Sequence, residues 1–378
     1  MESSPLEPLM LPKWPPQSAE IESAALECLK TGDWGRYDSN AKRELMDQLC
    51  NAFAAEHVRL CCSGTAAIEL CLRAAGVGRG DEVIISAFDY PGNLRSVELL
   101  GARPVLVNAS KTNFGPDLES VSLVAHDRAT NSAVRAVIAS HLYGHASEME
   151  HLRQICDDRN WTLIEDVCQC PGMVYPNQAG DPVIASAYGH IATLSFGGSK
   201  PLTAGNGGAI LTSDPRLAAR LASLVDRPSD AFPLSPLQAA VLIPQINRLI
   251  ETNVHRQRVA LRIDVELRRR GTPIQCLIES ASEIEPTYYK LAMLASSRSD
   301  RDEIVRRAHQ QGMPIGESFR SMSKVSERRC RKPVPLDQAD DYSDRLCLLD
   351  HRALLIEEDL VPRLVDRIVA VVATSVGD

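Results

Sequence analysis

Apolar residues recur along this chain with two periods, and the periods alternate. Over Ala41 to Glu56, Leu45, Leu49 and Phe53 fall on one stripe, the spacing of an amphipathic helix. His57 to Cys61 is a short apolar run bounded by the small residues Ser63 and Gly64, which predicts a strand. Ala66 to Ala75 predicts a helix that stops at Gly76, where glycine accepts the left-handed conformation of a C-cap. The same reading predicts strands over Glu82–Ser86, Arg103–Asn108, Val134–Ser140, Thr162–Glu165, Ile191–Phe196 and Gly208–Thr212. It predicts helices over Ala19–Lys30, Gly92–Leu100, Ser147–Asn160, Asp214–Asp226 and Ser235–Ile250. Short apolar strands alternating with helices predict an α/β domain whose mainly parallel sheet is covered on both faces.

The pattern changes further on. Asn253 to Arg269 predicts a long helix leaving the first domain. Strands over Tyr288–Leu294 and Leu346–Leu349, with helices over Asp302–Gln311 and Glu357–Thr374, predict a smaller α+β unit. The expected division is residues 1–250, an arm plus the large domain, and residues 251–378, the small domain, with a cleft between them. Pro5 to Gln17 is proline-rich and predicts an extended arm. Gly76-Val-Gly78-Arg-Gly80 follows a helix and precedes a strand, the reverse of a dinucleotide-binding fingerprint, and reads as a turn.

Composition narrows the class. The 378 residues are 44% hydrophobic and 24% charged, as in an ordinary globular protein. A net charge of −8 argues against nucleic acid or an anionic membrane as partner. Met1-Glu-Ser-Ser-Pro has neither a basic nor an apolar stretch of a secretory leader, and no apolar run is long enough to span a bilayer. A cytoplasmic protein is expected. The eleven cysteines form no CxxC pair and sit mostly in apolar segments, so they are expected to be reduced and buried. Gly144 between His141 and His145 argues against a shared helical face, and no metal site is expected.

Four groups at successive strand ends suggest chemistry. Ser63-Gly64-Thr65 joins a strand to a helix, so its N–H groups and hydroxyls could seat a phosphate; simple helix capping is the alternative. Phe88 and Tyr90 follow the next strand, where a ring stacks on a flat cofactor or packs into the core. Asp166 closes the strand from Thr162, pointing opposite to Glu165, and pairs with a protonated pyridine nitrogen or caps a helix. Gln169 is within reach of a phenolic oxygen. Ser195 and Lys200 lie in a run of small residues between two strands. A buried lysine there condenses with an aldehyde as a Schiff base. Together these residues satisfy the needs of pyridoxal 5′-phosphate.

These segments carry a resemblance. Ser63-Gly64-Thr65-Ala-Ala, Gly80-Asp-Glu-Val-Ile, His141-Leu-Tyr-Gly, Ile164-Glu-Asp166-Val-Cys-Gln169, Ser195-Phe-x-x-x-Lys200 and Leu237-Gln-Ala-Ala are similar to those of DegT-type pyridoxal-phosphate aminotransferases. That family aminates keto-sugars and keto-cyclitols. The resemblance implies fold type I, with a mainly parallel seven-stranded-type sheet and a smaller C-terminal domain. It implies that Lys200 forms the Schiff base and shuttles protons, that Asp166 pairs with the pyridine nitrogen, and that Gln169 lies near the phenolic oxygen. Tyr90 stacks on the ring, and Ser63, Gly64, Thr65 and Ser195 hold the phosphate. It also implies a homodimer with shared active sites, and as partners a small-molecule amino donor (glutamate or glutamine) and a keto acceptor in specialised metabolism. Dehydratase relatives carry histidine in place of Lys200, so the lysine favours transamination. Elimination, decarboxylation or carbon–carbon condensation on the same cofactor is the alternative, and a non-catalytic regulator a further one. The loop Asp226–Leu234 lacks the family's usual asparagine, and Phe88 to Arg95 departs from the common version. Trp34, Tyr37 and Arg320 are weaker candidates for the cleft.

Overall fold

The computed structural model describes residues 10–127, 133–177, 179–226, 230–278 and 286–372. In chain order the first half holds α1 (Ala19–Lys30), α2 (Asn40–Ala52), β1 (His57–Cys61), α3 (Gly64–Ala74), β2 (Glu82–Ser86), α4 (Pro91–Leu99), β3 (Arg103–Val107), α5 (Leu118–His126), β4 (Val134–Ser140), α6 (Met149–Arg159) and β5 (Thr162–Asp166). A hairpin follows, β6 (Val174–Pro176) and β7 (Pro182–Ile184), then β8 (Ile191–Ser195), β9 (Gly208–Thr212), α7 (Pro215–Val225), α8 (Pro236–Asn247) and α9 (Leu249–Arg269). The last part holds β10 (Gln275–Cys276), β11 (Leu291–Leu294), α10 (Arg298–Gln310), β12 (Ile315–Glu317), α11 (Asp337–Arg345), β13 (Leu346–Leu349) and α12 (Val361–Val372).

Seven strands form the central sheet, in the order β1-β9-β8-β5-β4-β2-β3. The β2–β3, β2–β4, β4–β5 and β5–β8 pairs are parallel, and β9 runs antiparallel to both its neighbours. The expected α/β class is therefore the observed one. Helices cover both faces, which is why β2 and β9 are buried at every position and read as unbroken apolar runs. Successive side chains still part to opposite faces: Val83 and Ile85 join one core, Ile84 the other. A second, four-stranded sheet, β10-β11-β13-β12, is antiparallel throughout. It shares a third core with α9, α10 and α12 through Ile263, Leu267, Ile304, Leu364 and Ile368.

Some expectations need correction. The second helix ends at Ala52, because Phe53 caps it and Ala54 turns left-handed at φ 49°. The long helix begins at Leu249, directly after a break at Arg248. The hairpin β6–β7, the short strands β10 and β12, and the helices α5 and α11 are additions. In α11 only Ala339 and Tyr342 are buried, too few to mark a stripe in the sequence. Residues 5–9, 227–229 and 373–374 of the predicted arm, loop and last helix lie outside the described residues.

Candidate active site

The parallel strands present their carboxyl ends to one edge of the sheet, where a crevice is expected. A cavity of about 430 Å³ opens there, and its lining includes Ser63, Gly64, Thr65, Tyr90, Asp166, Gln169, Ser195 and Lys200. All eight residues singled out in the sequence are thus brought together. A larger cavity of about 570 Å³, lined by residues such as His145, His151, Tyr175 and Leu277, holds no lysine. Trp34, Tyr37 and Arg320 are exposed and lie outside the lining of the smaller cavity.

Each wall has a local cause. Ser63 is the N-cap of α3, its Oγ accepting from the N–H of Ala66 at 3.0 Å, so capping and cavity lining coexist. Gly64 leaves the first turn bare: a Cβ there would stand 2.7 Å from the Cβ and 2.9 Å from the Oγ of Ser195. Tyr90 caps the other helix, α4, and remains 43% exposed, with its ring 6.0 Å from that of Phe319. Phe88 has the opposite fate. It is 0% exposed and packs against Phe114 and Tyr342, so of these two residues Tyr90 is the one that offers a ring to the cavity.

Asp166 does not cap a helix. Its Oδ1 accepts from the N–H of Cys168 at 3.0 Å in the turn after β5. Its Oδ2 accepts from Asn93 Nδ2 at 3.2 Å and lies 3.4 Å from Ser140 Oγ. Glu165 points away, as strand alternation requires. It accepts from His141 Nε2 at 2.9 Å and from the N–H groups of Ser186 and Gly189 at 2.9 and 2.7 Å. His141 Nδ1 accepts from the N–H of Ser147 at 3.0 Å, so its proton sits on Nε2. Glu165 is a structural anchor.

Gln169 Oε1 accepts from the N–H of Tyr143 at 3.0 Å, leaving its amide N–H groups for the cavity. Tyr143 itself adopts φ 59°, and burial pushes its phenol well above the usual range. Lys200 is half-buried, not the fully buried amine expected, and its Nζ lies 5.2 Å from the ring centre of Tyr289. The Tyr289 hydroxyl is 2.9 Å from Ser199 Oγ, which ties the lysine loop to the second sheet's segment. Sequence reading missed Asn93, Tyr143, Asn206, Tyr289, Lys290 and Phe319, all of which line the cavity. Nothing in their local spacing marks them; Tyr289 and Phe319 arrive from beyond α9.

A lysine and a strand-end carboxylate in one cavity, beside a glycine cradle, are an arrangement with known counterparts. The sequence profile of the DegT/DnrJ/EryC1/StrS aminotransferase family matches residues 16–371. This chain belongs to that family. The aminotransferase is 30% identical over 318 residues to L-glutamine:2-deoxy-scyllo-inosose aminotransferase of Micromonospora echinospora, covering 76% of this chain and 72% of that one. It is 31% identical over 265 residues to GDP-perosamine synthase of Caulobacter vibrioides, covering 66% and 67%. The crystal structure of S. venezuelae DesV, in complex with a ketimine intermediate, superposes with a TM-score of 0.81 at 25% identity over 95% of each chain. As a member of the family the protein is a transferase of amino groups.

Proposed function

We propose that this aminotransferase moves the amino group of glutamate or glutamine to the keto group of a sugar, cyclitol or related polar carbon skeleton, with pyridoxal 5′-phosphate as cofactor. One observation carries the reading: Lys200 and Asp166 share a single cavity with a glycine-lined helix start and an exposed tyrosine ring. The relatives named for scyllo-inosose and perosamine support the acceptor class.

The donor set fits the cofactor. Ser63, Thr65 and Ser195 offer hydroxyls around the α3 N-terminus, and the missing Cβ of Gly64 lets Ser195 stand against that turn. When bound, the cofactor supplies an aldehyde that exchanges with amino groups and a ring that stabilises negative charge on the adjoining carbon. Lys200 Nζ would hold that aldehyde carbon and would move the proton at the substrate carbon. Asp166 would hold a proton at the ring nitrogen, Tyr90 would lie against the ring, and Gln169 would donate to its phenolic oxygen. A homodimer completes the site, and Leu26, Leu29, Trp34 and Tyr37, all exposed, are residues that a second copy would cover. Residues 1–250 serve as the large cofactor-binding unit and 251–378 as the small one. The protein acts in the cytoplasm; among the described residues no helix is long and apolar enough to cross a membrane.

The test is spectroscopic. Purified protein loaded with pyridoxal phosphate is expected to change absorbance when glutamate or glutamine is added, with release of the matching keto acid. Product lacking transferred nitrogen, formed with no amine form of the cofactor, would move the assignment to elimination or condensation.

A further inference from the structure

Asp89, three residues past the end of β2 and between Phe88 and Tyr90, has so far no role. It is 1% exposed. Its Oδ1 accepts from the N–H of Tyr90 at 2.6 Å. Its Oδ2 accepts from Ser140 Oγ at 3.0 Å and Asn93 Nδ2 at 3.2 Å. The same two donors face Asp166, at 3.4 and 3.2 Å from its Oδ2. Two carboxyl groups therefore meet across two small polar side chains.

The hydrogen count is short. Ser140 Oγ has one proton and cannot donate to both carboxylates at once. A proton on Asp89 Oδ2 resolves this: Asp89 then donates to Ser140 Oγ, and Ser140 donates to Asp166. Charge argues the same way, because two full negative charges in a buried space repel. Burial first, and then the Asp166 charge, push the Asp89 carboxyl up to about 7, against the hydrogen bonds from Ser140, Tyr90 and Asn93. The Tyr143 phenol, from the turn after β4, also feels Asp89 and stays neutral. Ser140 of β4 and Asn93 of α4 carry no charge, and among the described residues no cation forms an ion pair with Asp89.

We propose that Asp89 is a positioning residue that acts through Asp166: it keeps its proton while Asp166 is the only charge of the pair, and releases it to solvent when a pyridinium lies against Asp166. The pair's charge thus follows that of the bound ring. The idea rests on the cofactor reading above.

Pyridoxamine 5′-phosphate, which cannot condense with Lys200, is the probe. Its affinity for the apoprotein is measured between about pH 5.5 and 8 in the wild type and in Asp89→Asn. The variant is expected to match the wild type at the acid end and to bind about tenfold more weakly at the alkaline end. Equal pH dependence in the two proteins would overturn the proposal and leave the cofactor reading intact. Failure of the wild type to bind the probe at any pH would overturn both. Should Asp89→Asn not fold, infrared difference spectra of the wild type at about pH 6 decide. A protonated-carboxyl band lost on adding the probe supports the pair, and an unchanged spectrum refutes it.

Discussion

The first turn of α3 and the end of β8 touch through Gly64 and Ser195, so closely that a Cβ on Gly64 would lie 2.7 Å from the Ser195 Cβ. No real Cβ tolerates that distance, and the obstacle is a side-chain stem, not a flexible tip. Gly64→Ala is therefore expected to lower affinity for pyridoxal phosphate about tenfold or more while the protein stays folded. Cofactor titration followed by fluorescence checks it. Ser195→Gly alone costs one phosphate-facing hydroxyl, but in that background Gly64→Ala should cost less than it does in the wild type; an equal loss in both backgrounds would mean that the contact does not set the cradle.

Two lysines line this cavity, Lys200 from the loop after β8 and Lys290 from the segment just before β11. Lys200→Ala should lower the rate of amino transfer by about 10²–10⁴-fold or more, since both covalent attachment and proton transfer are lost. Pyridoxamine phosphate should still bind. Single-turnover kinetics with that form of the cofactor measure the loss. A variant as fast as the wild type would remove the lysine from the mechanism.

Glu165 is buried with His141 Nε2 and two backbone N–H groups as donors. Glu165→Gln keeps the shape but turns one acceptor into a donor facing a donor. Destabilisation of about 2–4 kcal/mol is expected from the lost charge-assisted bonds. Urea unfolding measures it. The spectrum of bound cofactor should be unchanged, because this side chain lies on the other side of the strand from Asp166.

Asp89 also predicts a pH dependence of apoprotein stability. Its carboxyl is raised from 3.8 to about 7 on folding, so between these values the native state holds a proton that the unfolded state has lost. Stability from this group is full below the lower value and falls as pH rises, by about 1.4 kcal/mol per unit until the upper value is passed. Comparing melting temperatures of wild type and Asp89→Asn from pH 4 to 7 isolates the effect. The variant should lack this fall; parallel curves would deny the raised value.

Arg256 on α9 is 0% exposed, and none of its guanidinium nitrogens has a hydrogen-bond partner among the described residues. Burial pushes its pKa down to about 10. A buried cation without a partner is costly, so Arg256→Met should leave the monomer's melting temperature unchanged or raise it. A marked fall would reveal a partner supplied by ligand or by a second subunit.

Much of this protein was legible along the chain. Leu45, Leu49 and Phe53 lie on one buried stripe because helix periodicity is a local property. Asp166 opposes Glu165 because strand alternation is local too. Ser63, Gly64, Thr65, Tyr90, Asp166, Gln169, Ser195 and Lys200 were readable because parallel strands deliver their ends to one edge. The tertiary structure alone decided which ring, Phe88 or Tyr90, faces the cavity, since packing against Phe114 and Tyr342 claims the first. It alone brought Tyr289 beside Lys200 and Asp89 beside Asp166. Those pairs are 89 and 77 residues apart, and closeness at such separation arises from how sheets and helices stack, which no local periodicity encodes.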